Sequence, residues 1–311
     1  MSALQDLKHR YRAGELSKPD FVAQALDVHR VLFSYVDVVA TTDVREIRIT
    51  KDGVAFQIGE DDVWLLAPAD EARVAPVEVM NFDRYEPQET HVMDLLAREA
   101  RVVLDIGANI GWYSLRFARR LPGVQVHAFE PIPPTHDWLV RNIALNRLQD
   151  RVIPYAVGLS DRSGPTRYFV RPAGGTNASL QNVSGGSDAA EVAGQTITLD
   201  DWSASTGVVP DFVKCDVEGA ELLVFRGARE TLARHRPAVF AELLRKWSRP
   251  FGYHPNDMLA WFDGLGYACV AVGSAGTRPI REVTDDTQET NYAFLHRQRH
   301  GELLAALECA R

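Results

Sequence analysis

The strongest hydrophobic signals in this chain are short continuous runs, not alternations. Val102–Ile106, Val124–Phe129, Val152–Val157, Phe212–Asp216 and Ala238–Glu242 are apolar on both faces, as strands covered on both sides of a sheet must be. Between them lie stretches of helical period: Trp112–Leu121, 135–146, 218–234 and 255–264. That rhythm predicts a doubly wound α/β fold, a mostly parallel sheet with helices on both faces. Tyr267–Val272 and Asn291–His296 are joined without a helical pattern, so the last two strands are expected to pair antiparallel and complete a seven-stranded sheet. Such sheets bind ligands at the carboxyl ends of their strands.

Upstream the pattern changes. Residues 1–40 read as mainly helix, with Ser17 and Pro19 as cap and first-turn proline of a second segment. Phe21, Ala25, Val28 and Leu32 share one face, which favours packing on the chain's own domain over binding a partner. Residues 46–66 alternate as a small antiparallel meander that either shapes a pocket or covers a sheet edge. Asp83–Glu99 reads as a helix leading into the first core strand. The expected organisation is an N-terminal extension over 1–82 and the main domain over 83–311. Within the latter, 171–195 is a Gly-, Ser- and Asn-rich loop without periodicity, either a lid or disordered.

Composition narrows the class. A chain of 311 residues, 46% apolar and 24% charged, is ordinary for a soluble globular protein. A formal charge of −8 without a basic stripe argues against a nucleic-acid partner held by its phosphates. Cys215, Cys269 and Cys309 lie far apart with no C-x-x-C spacing, which suggests neither disulfides nor zinc. No leader-like apolar segment opens the chain and no run approaches membrane-spanning length, so a cytoplasmic protein without a membrane partner is expected.

The candidate chemistry begins at Asp105-Ile106-Gly107-Ala108-Asn109-Ile110-Gly111. Gly107 and Gly111 frame a bend between a buried strand and a helix whose first amides point outward unpaired. Those amides suit a carboxylate or a phosphate. A dinucleotide fingerprint, G-x-G-x-x-G, fails here at two positions, where Asn109 and Trp112 replace glycine. Glu130 ends the next strand, 23 residues past Gly107, where a carboxylate accepts hydrogen bonds from both hydroxyls of a ribose. Pro131 follows it, and Ser160 and Asp161 follow strand three, where an adenine edge would be read.

Taken in order, Asp105-Ile-Gly-Ala-Asn-Ile-Gly111, Phe129-Glu130-Pro131, Asn142-Ile-Ala-Leu-Asn146, Thr198-Leu-Asp200 and Lys214-Cys-Asp216-Val-Glu218-Gly219-Ala-Glu221 resemble the FkbM-type family of S-adenosylmethionine (SAM) dependent methyltransferases. The likeness covers roughly residues 84–297, including Tyr85-Glu86, and its last motif is more specific than the glycine loop. Cys215 stands where an aliphatic residue is expected. The resemblance implies a Rossmann-like class I methyltransferase fold, SAM as cofactor, and methyl transfer, in most members to oxygen. The expected acceptor is a small molecule, a sugar or a specialised metabolite such as a macrolide.

Asp105, Gly107, Asn109, Gly111, Glu130, Pro131, Ser160, Asp161 and Asp216 are then the expected cofactor-binding residues. Asp216, Glu218, Glu242 and Lys214 are the catalytic candidates, with His254 a weaker one that fits a capping role better. A hydroxyl acceptor needs its proton removed, and a carboxylate at the end of strand four or five suits that task. Convergence of Asp216 and Glu242 would also suit a divalent cation such as magnesium. Glu221 is assigned to the early turns of the following helix. Two other readings stand beside the methyltransferase: a nicotinamide-dependent oxidoreductase, and a SAM-binding module without catalysis.

Overall fold

The computed structural model describes residues 2–170, 178–183 and 189–309. Helices α1 (Ala3–Arg12) and α2 (Lys18–Thr41) form an antiparallel pair in which Tyr11 stacks on Phe21. The Ser17 hydroxyl accepts the Asp20 amide and Pro19 sits in the first turn, as the sequence predicts. The expected inward face of α2 packs only along its first half. Ala25 is buried and Phe21 and Val28 are half-buried, but Leu32 is 52% exposed. At ten residues, α1 is too short to cover a helix of 24.

Strands β1 (Val44–Thr50), β2 (Gly53–Ile58) and β3 (Val63–Leu66) form the expected antiparallel meander. It covers helices and not the edge of the large sheet. The buried Asn142 side chain receives the Leu66 amide and donates to the carbonyls of Leu66 and Ile110. One turn on, Asn146 receives the Trp64 amide and returns a bond to the Trp64 carbonyl. Two asparagines spaced i, i+4 thus mimic a neighbouring strand and satisfy the edge of β3.

The helix expected over 83–99 is α4 (Pro87–Ala97), which starts four residues later, and an unexpected helix, α3 (Ala75–Phe82), precedes it. Pro87 supplies no amide and can only begin a helix, while Asp83 and Glu86 turn the chain with left-handed φ of 70° and 42°.

The main sheet follows through β4 (Val102–Ile106), α5 (Trp112–Arg120), β5 (Gln125–Phe129), α6 (Pro133–Asn146) and β6 (Val152–Tyr155). Next come β7 (Gly158–Leu159), β8 (Gly164–Val170), β9 (Ala178–Ser179) and β10 (Ala190–Ile197), a separate four-stranded sheet of order β7-β10-β8-β9. The described parts of the loop expected over 171–195 are therefore partly strand, since Ala190–Thr196 pair antiparallel with Gly164–Val170. Backbone pairing, with little apolar content, holds that ladder; residues 171–177 and 184–188 lie outside the described residues.

After α7 (Leu199–Thr206) and β11 (Phe212–Cys215), the helix expected over 218–234 is split, into α8 (Glu221–Arg226) and α9 (Arg229–His235). The break falls at Gly227, whose carbonyl accepts the Asp200 amide in place of a helical partner and where a Cβ would come within 2.0 Å of the Ser160 carbonyl oxygen. Asp200 then caps α9, its carboxylate accepting the amides of Glu230 and Thr231. The chain closes with β12 (Ala238–Glu242), α10 (Arg245–Ser248), α11 (Pro255–Asp263), β13 (Tyr267–Gly273), β14 (Gly276–Pro279), β15 (Asn291–His296) and α12 (Gly301–Cys309).

The large sheet runs β14-β13-β15-β12-β11-β4-β5-β6. It contains the seven expected strands, with β15 antiparallel to both β12 and β13, and adds β14 as an eighth at the edge. Successive strand residues sort to opposite faces, as period two requires. Val103 and Phe212 join one core with α4–α6 and the meander, while Leu104 and Val213 join another with α7–α9 and α11. Among the described residues no helix is long and apolar enough to cross a membrane.

Candidate active site

A cavity of about 520 Å³ opens at the carboxyl ends of β4, β5, β11 and β12. That size lies within the ordinary range of small-molecule sites, roughly 300–1,000 Å³. One wall is the loop 107–110. The amides of Gly107 and Ala108 both donate to the Phe129 carbonyl, which ties the loop to the end of β5. Gly107 has φ +76°, and a Cβ there would fall 1.8 Å from the Asp216 carbonyl oxygen. Glycine is obligatory at this point because the loop and the end of β11 touch backbone to backbone. Gly111, with φ +99°, begins α5 and packs against Leu139 outside the cavity wall.

Glu130 and Pro131 form the neighbouring wall. The Glu130 carboxylate is buried and receives the Asn109 amide at 3.1 Å and the Ile132 amide at 3.0 Å, one on each oxygen. Each oxygen keeps a further lone pair. Burial raises this carboxyl to about 7, against the pull of those two amides.

The floor is made by Lys214 and the loop after β11. Lys214 is buried; its Nζ donates to the Gly107 carbonyl at 2.9 Å, lies 3.4 Å from Asp105 Oδ1 and 3.8 Å from Asp216 Oδ2. Burial opposes its charge, but Asp105 and Asp216 outweigh that and hold it firmly protonated. Asp105 also accepts the Ser114 hydroxyl at 2.6 Å, so this wholly buried acid sits beneath the cavity as the anchor of Lys214 and of α5.

Asp216, Glu218 and Glu242 line the same cavity. Burial, and then repulsion from Asp216 and Glu218, pushes Glu242 up to about 9, which is the electrostatic mark of carboxyls converging on one space. Among the described residues no group of three or more His, Cys, Asp or Glu is placed to hold a metal ion. Moreover, the Lys214 ammonium already supplies positive charge beside Asp216. The donor set at Asp216 and Glu242 fits a resident magnesium ion poorly.

Other candidates lie elsewhere. His254 caps α11, its ring accepting the Asn256 amide. Glu221 receives the amides of Val217 and Gly219 and the Tyr253 hydroxyl, so it shapes the loop that carries Glu218. Ser160 is buried and Asp161 stands beside it; the cavity wall at this turn is made by Gly158 and Leu159 instead.

Sequence reasoning missed Glu86 as a site residue. It borders the cavity, accepts a hydrogen bond from the Tyr113 hydroxyl, and is raised to about 7 by burial. Burial, and then Glu86, raises Tyr113 well above the usual phenol range. The missed signal was Tyr85-Glu86-Pro87, which forbids a continuous helix. Glu86, Asn109 and Glu218 all line the cavity and all hold left-handed φ without being glycine. Such strain, of order 1–3 kcal/mol each, gathers at functional sites.

A sheet of this order with this glycine loop, a buried strand-end carboxylate and an acid-rich floor belongs to a SAM-dependent methyltransferase of the Rossmann-like class. Residues 105–269, more than half of the chain, match the family model described as the methyltransferase FkbM domain, and the chain belongs to that family. It is 31% identical over 182 residues to methyltransferase sdnD of Sordaria araneosa, covering 50% of this chain and 69% of that protein. It is 30% identical over 161 residues to the 2-O-methyltransferase NoeI of Sinorhizobium fredii, covering 47% and 64%. To the hexuronic acid methyltransferase AglP of Haloferax volcanii it is 32% identical over 149 residues, covering 46% and 58%. Membership in this family overturns the nicotinamide-dependent alternative.

Proposed function

We propose that the protein is an O-methyltransferase that methylates a hydroxyl of a small-molecule acceptor, a sugar or a specialised metabolite. The observation that carries the reading is one cavity shared by the loop 107–110, Glu130, and the acids Asp216, Glu218 and Glu242. The likeness to a 2-O-methyltransferase and a hexuronic acid methyltransferase supports oxygen as the acceptor atom.

SAM fits the residues present. Glu130 would receive the ribose hydroxyls on its remaining lone pairs, with Asn109 and Pro131 alongside. Gly158 and Leu159 would hold the adenine end, and Lys214 with the loop from Gly107 to Ile110 the amino-acid end. Asp105 positions Lys214. When bound, the cofactor supplies an electrophilic methyl group on a sulfonium.

The chain's own part is to hold the acceptor oxygen in line and to take its proton. Asp216 takes that proton. Glu242 carries a proton of its own at neutral pH and donates a hydrogen bond to the acceptor. Glu218 helps to fix the acceptor from the same loop. Residues 1–82 and the β8–β10 region recognise the acceptor, since Arg73, Glu78 and Phe82 line the cavity from one side and Tyr168, Ser179 and Leu180 from the other.

Asp216→Asn tests this assignment. Turnover with a productive acceptor should fall by about 10²–10⁴-fold, the usual contribution of a general base, while affinity for S-adenosylhomocysteine (SAH) stays within a few-fold. Near-normal turnover would remove Asp216 from the chemistry. Loss of SAH binding alone would make it a cofactor ligand only.

A further inference from the structure

The chain's longest helix is the one it covers least. Of the 24 residues of α2, only Ala25 is buried. Val22 is 53% exposed, Val31 59%, Phe33 68% and Val36 67%, and Leu26, Leu32 and Tyr35 are exposed with them. Scattered apolar residues on a surface are ordinary, but seven on one helix, four of them (Val22, Leu26, Phe33 and Val36) on a single face, are the kind of exposure that marks an interaction site. Beyond the reach of α1, Val31–Phe33, Tyr35 and Val36 are bare nearly all round the helix, and a helix apolar all round belongs in an interior.

The pattern on this face identifies the occupant. Val22, Leu26, His29, Phe33, Val36 and Ala40 follow one another at alternating spacings of four and three, the seam of a helix that packs along another helix. Charged residues lie off the seam, where Asp27 and Arg30 pair with each other at 3.1 Å. The polar positions of α2 hold Lys18, Asp20, Asp27, Arg30 and Asp37, three acids against two bases. An anionic lipid surface would select the opposite balance. The four exposed apolar residues of the seam, Val22, Leu26, Phe33 and Val36, present roughly 400 Å² per chain, about half of the ~800 Å² per partner of a stable symmetric interface, so α1 and the flanks of the seam must supply the rest. A two-fold dimer requires one patch to complement itself, and a helix with a heptad seam does so.

We propose that α2 is a dimerisation helix, laid along α2 of a second copy of this chain, with the two α1–α2 pairs forming a four-helix bundle. The interface lies apart from the residues that line the cavity, so each protomer retains a complete site.

Sedimentation equilibrium of the full chain at micromolar to tens of micromolar concentration tests this, alongside the Leu26→Glu/Phe33→Glu double variant and the milder Phe33→Ser. The wild type should be dimeric, the double variant monomeric, and Phe33→Ser should dissociate at about tenfold higher concentration than wild type. All three should bind SAH within about two-fold of one another, which shows that they are folded. Val140→Glu, an exposed apolar position on α6, should leave the dimer intact. A monomeric wild type would overturn the proposal, as would a dimer that survives both α2 variants or a wild-type monomer that co-sediments with phosphatidylglycerol vesicles.

Discussion

The cavity floor and the α1–α2 pair are opposites in how they spend their residues. At the floor, acids are buried or crowded, a lysine is enclosed, and three non-glycine residues hold left-handed φ. Every one of these features costs stability locally. In α2 the backbone is relaxed and well capped, yet large apolar side chains face water. The first pattern is that of a site shaped for a ligand, whose binding offsets the strain. The second is that of a surface shaped for another protein surface. Difficulty in the interior points to chemistry, and ease with an uncovered apolar face points to assembly.

The comparison can be broken at its most constrained point first. Gly107→Ala places a methyl against the Asp216 carbonyl and should weaken SAH binding by more than about 100-fold, or prevent folding, since a backbone cannot yield as a side chain does. A stable, binding-competent Gly107→Ala would mean that the loop is not pinned to β11. Next, Asn142→Ala strips partners from the Leu66 amide and the Ile110 carbonyl in a buried place. Urea denaturation should show a loss of about 3 kcal/mol, within the range for leaving buried polar groups unpaired. A change under about 1 kcal/mol would show that the meander is not held by this residue.

A third test concerns pH. The Glu242 carboxyl is raised in the folded state to about 9, so the folded protein holds this proton more tightly than the unfolded chain does. Its contribution to stability is full below the unfolded value near 4.5 and is lost as pH rises toward 9. The ligand-free protein should therefore lose thermal stability between pH 5 and 9, and Glu242→Gln should flatten that decline and melt higher than wild type at pH 9. Parallel profiles for the two proteins would contradict the placement of Glu242 among the floor acids.

The sheet was legible because strands buried on both faces must be continuous apolar runs, and the glycine loop was legible because the backbone demands glycine there. Glu130, Asp216, Glu218 and Glu242 came from strand-end positions, which topology alone brings to one place. What escaped depended on distant contacts. Position 227 must be glycine only because the Ser160 carbonyl lies against it, and Asp200 caps a helix thirty residues away. Asn142 and Asn146 look like ordinary helix residues until β3 is laid beside them. The β8–β10 ladder carries too little apolar alternation to announce itself, and Glu86 faces the cavity only because its φ is left-handed. In α2 the spacing of apolar residues was visible, but two faces fit it, and chain connectivity decided which was covered.

The central claim is that the loop from Gly107 to Ile110 and Glu130 together form the SAM pocket. Calorimetric titration of the purified protein with SAH, and in parallel with NAD, tests it most directly, using wild type and Glu130→Ala. The account predicts micromolar SAH binding, weakened about 10- to 100-fold in Glu130→Ala, and no NAD binding. Equal SAH affinity in the two proteins, or binding of NAD in place of SAH, would contradict it.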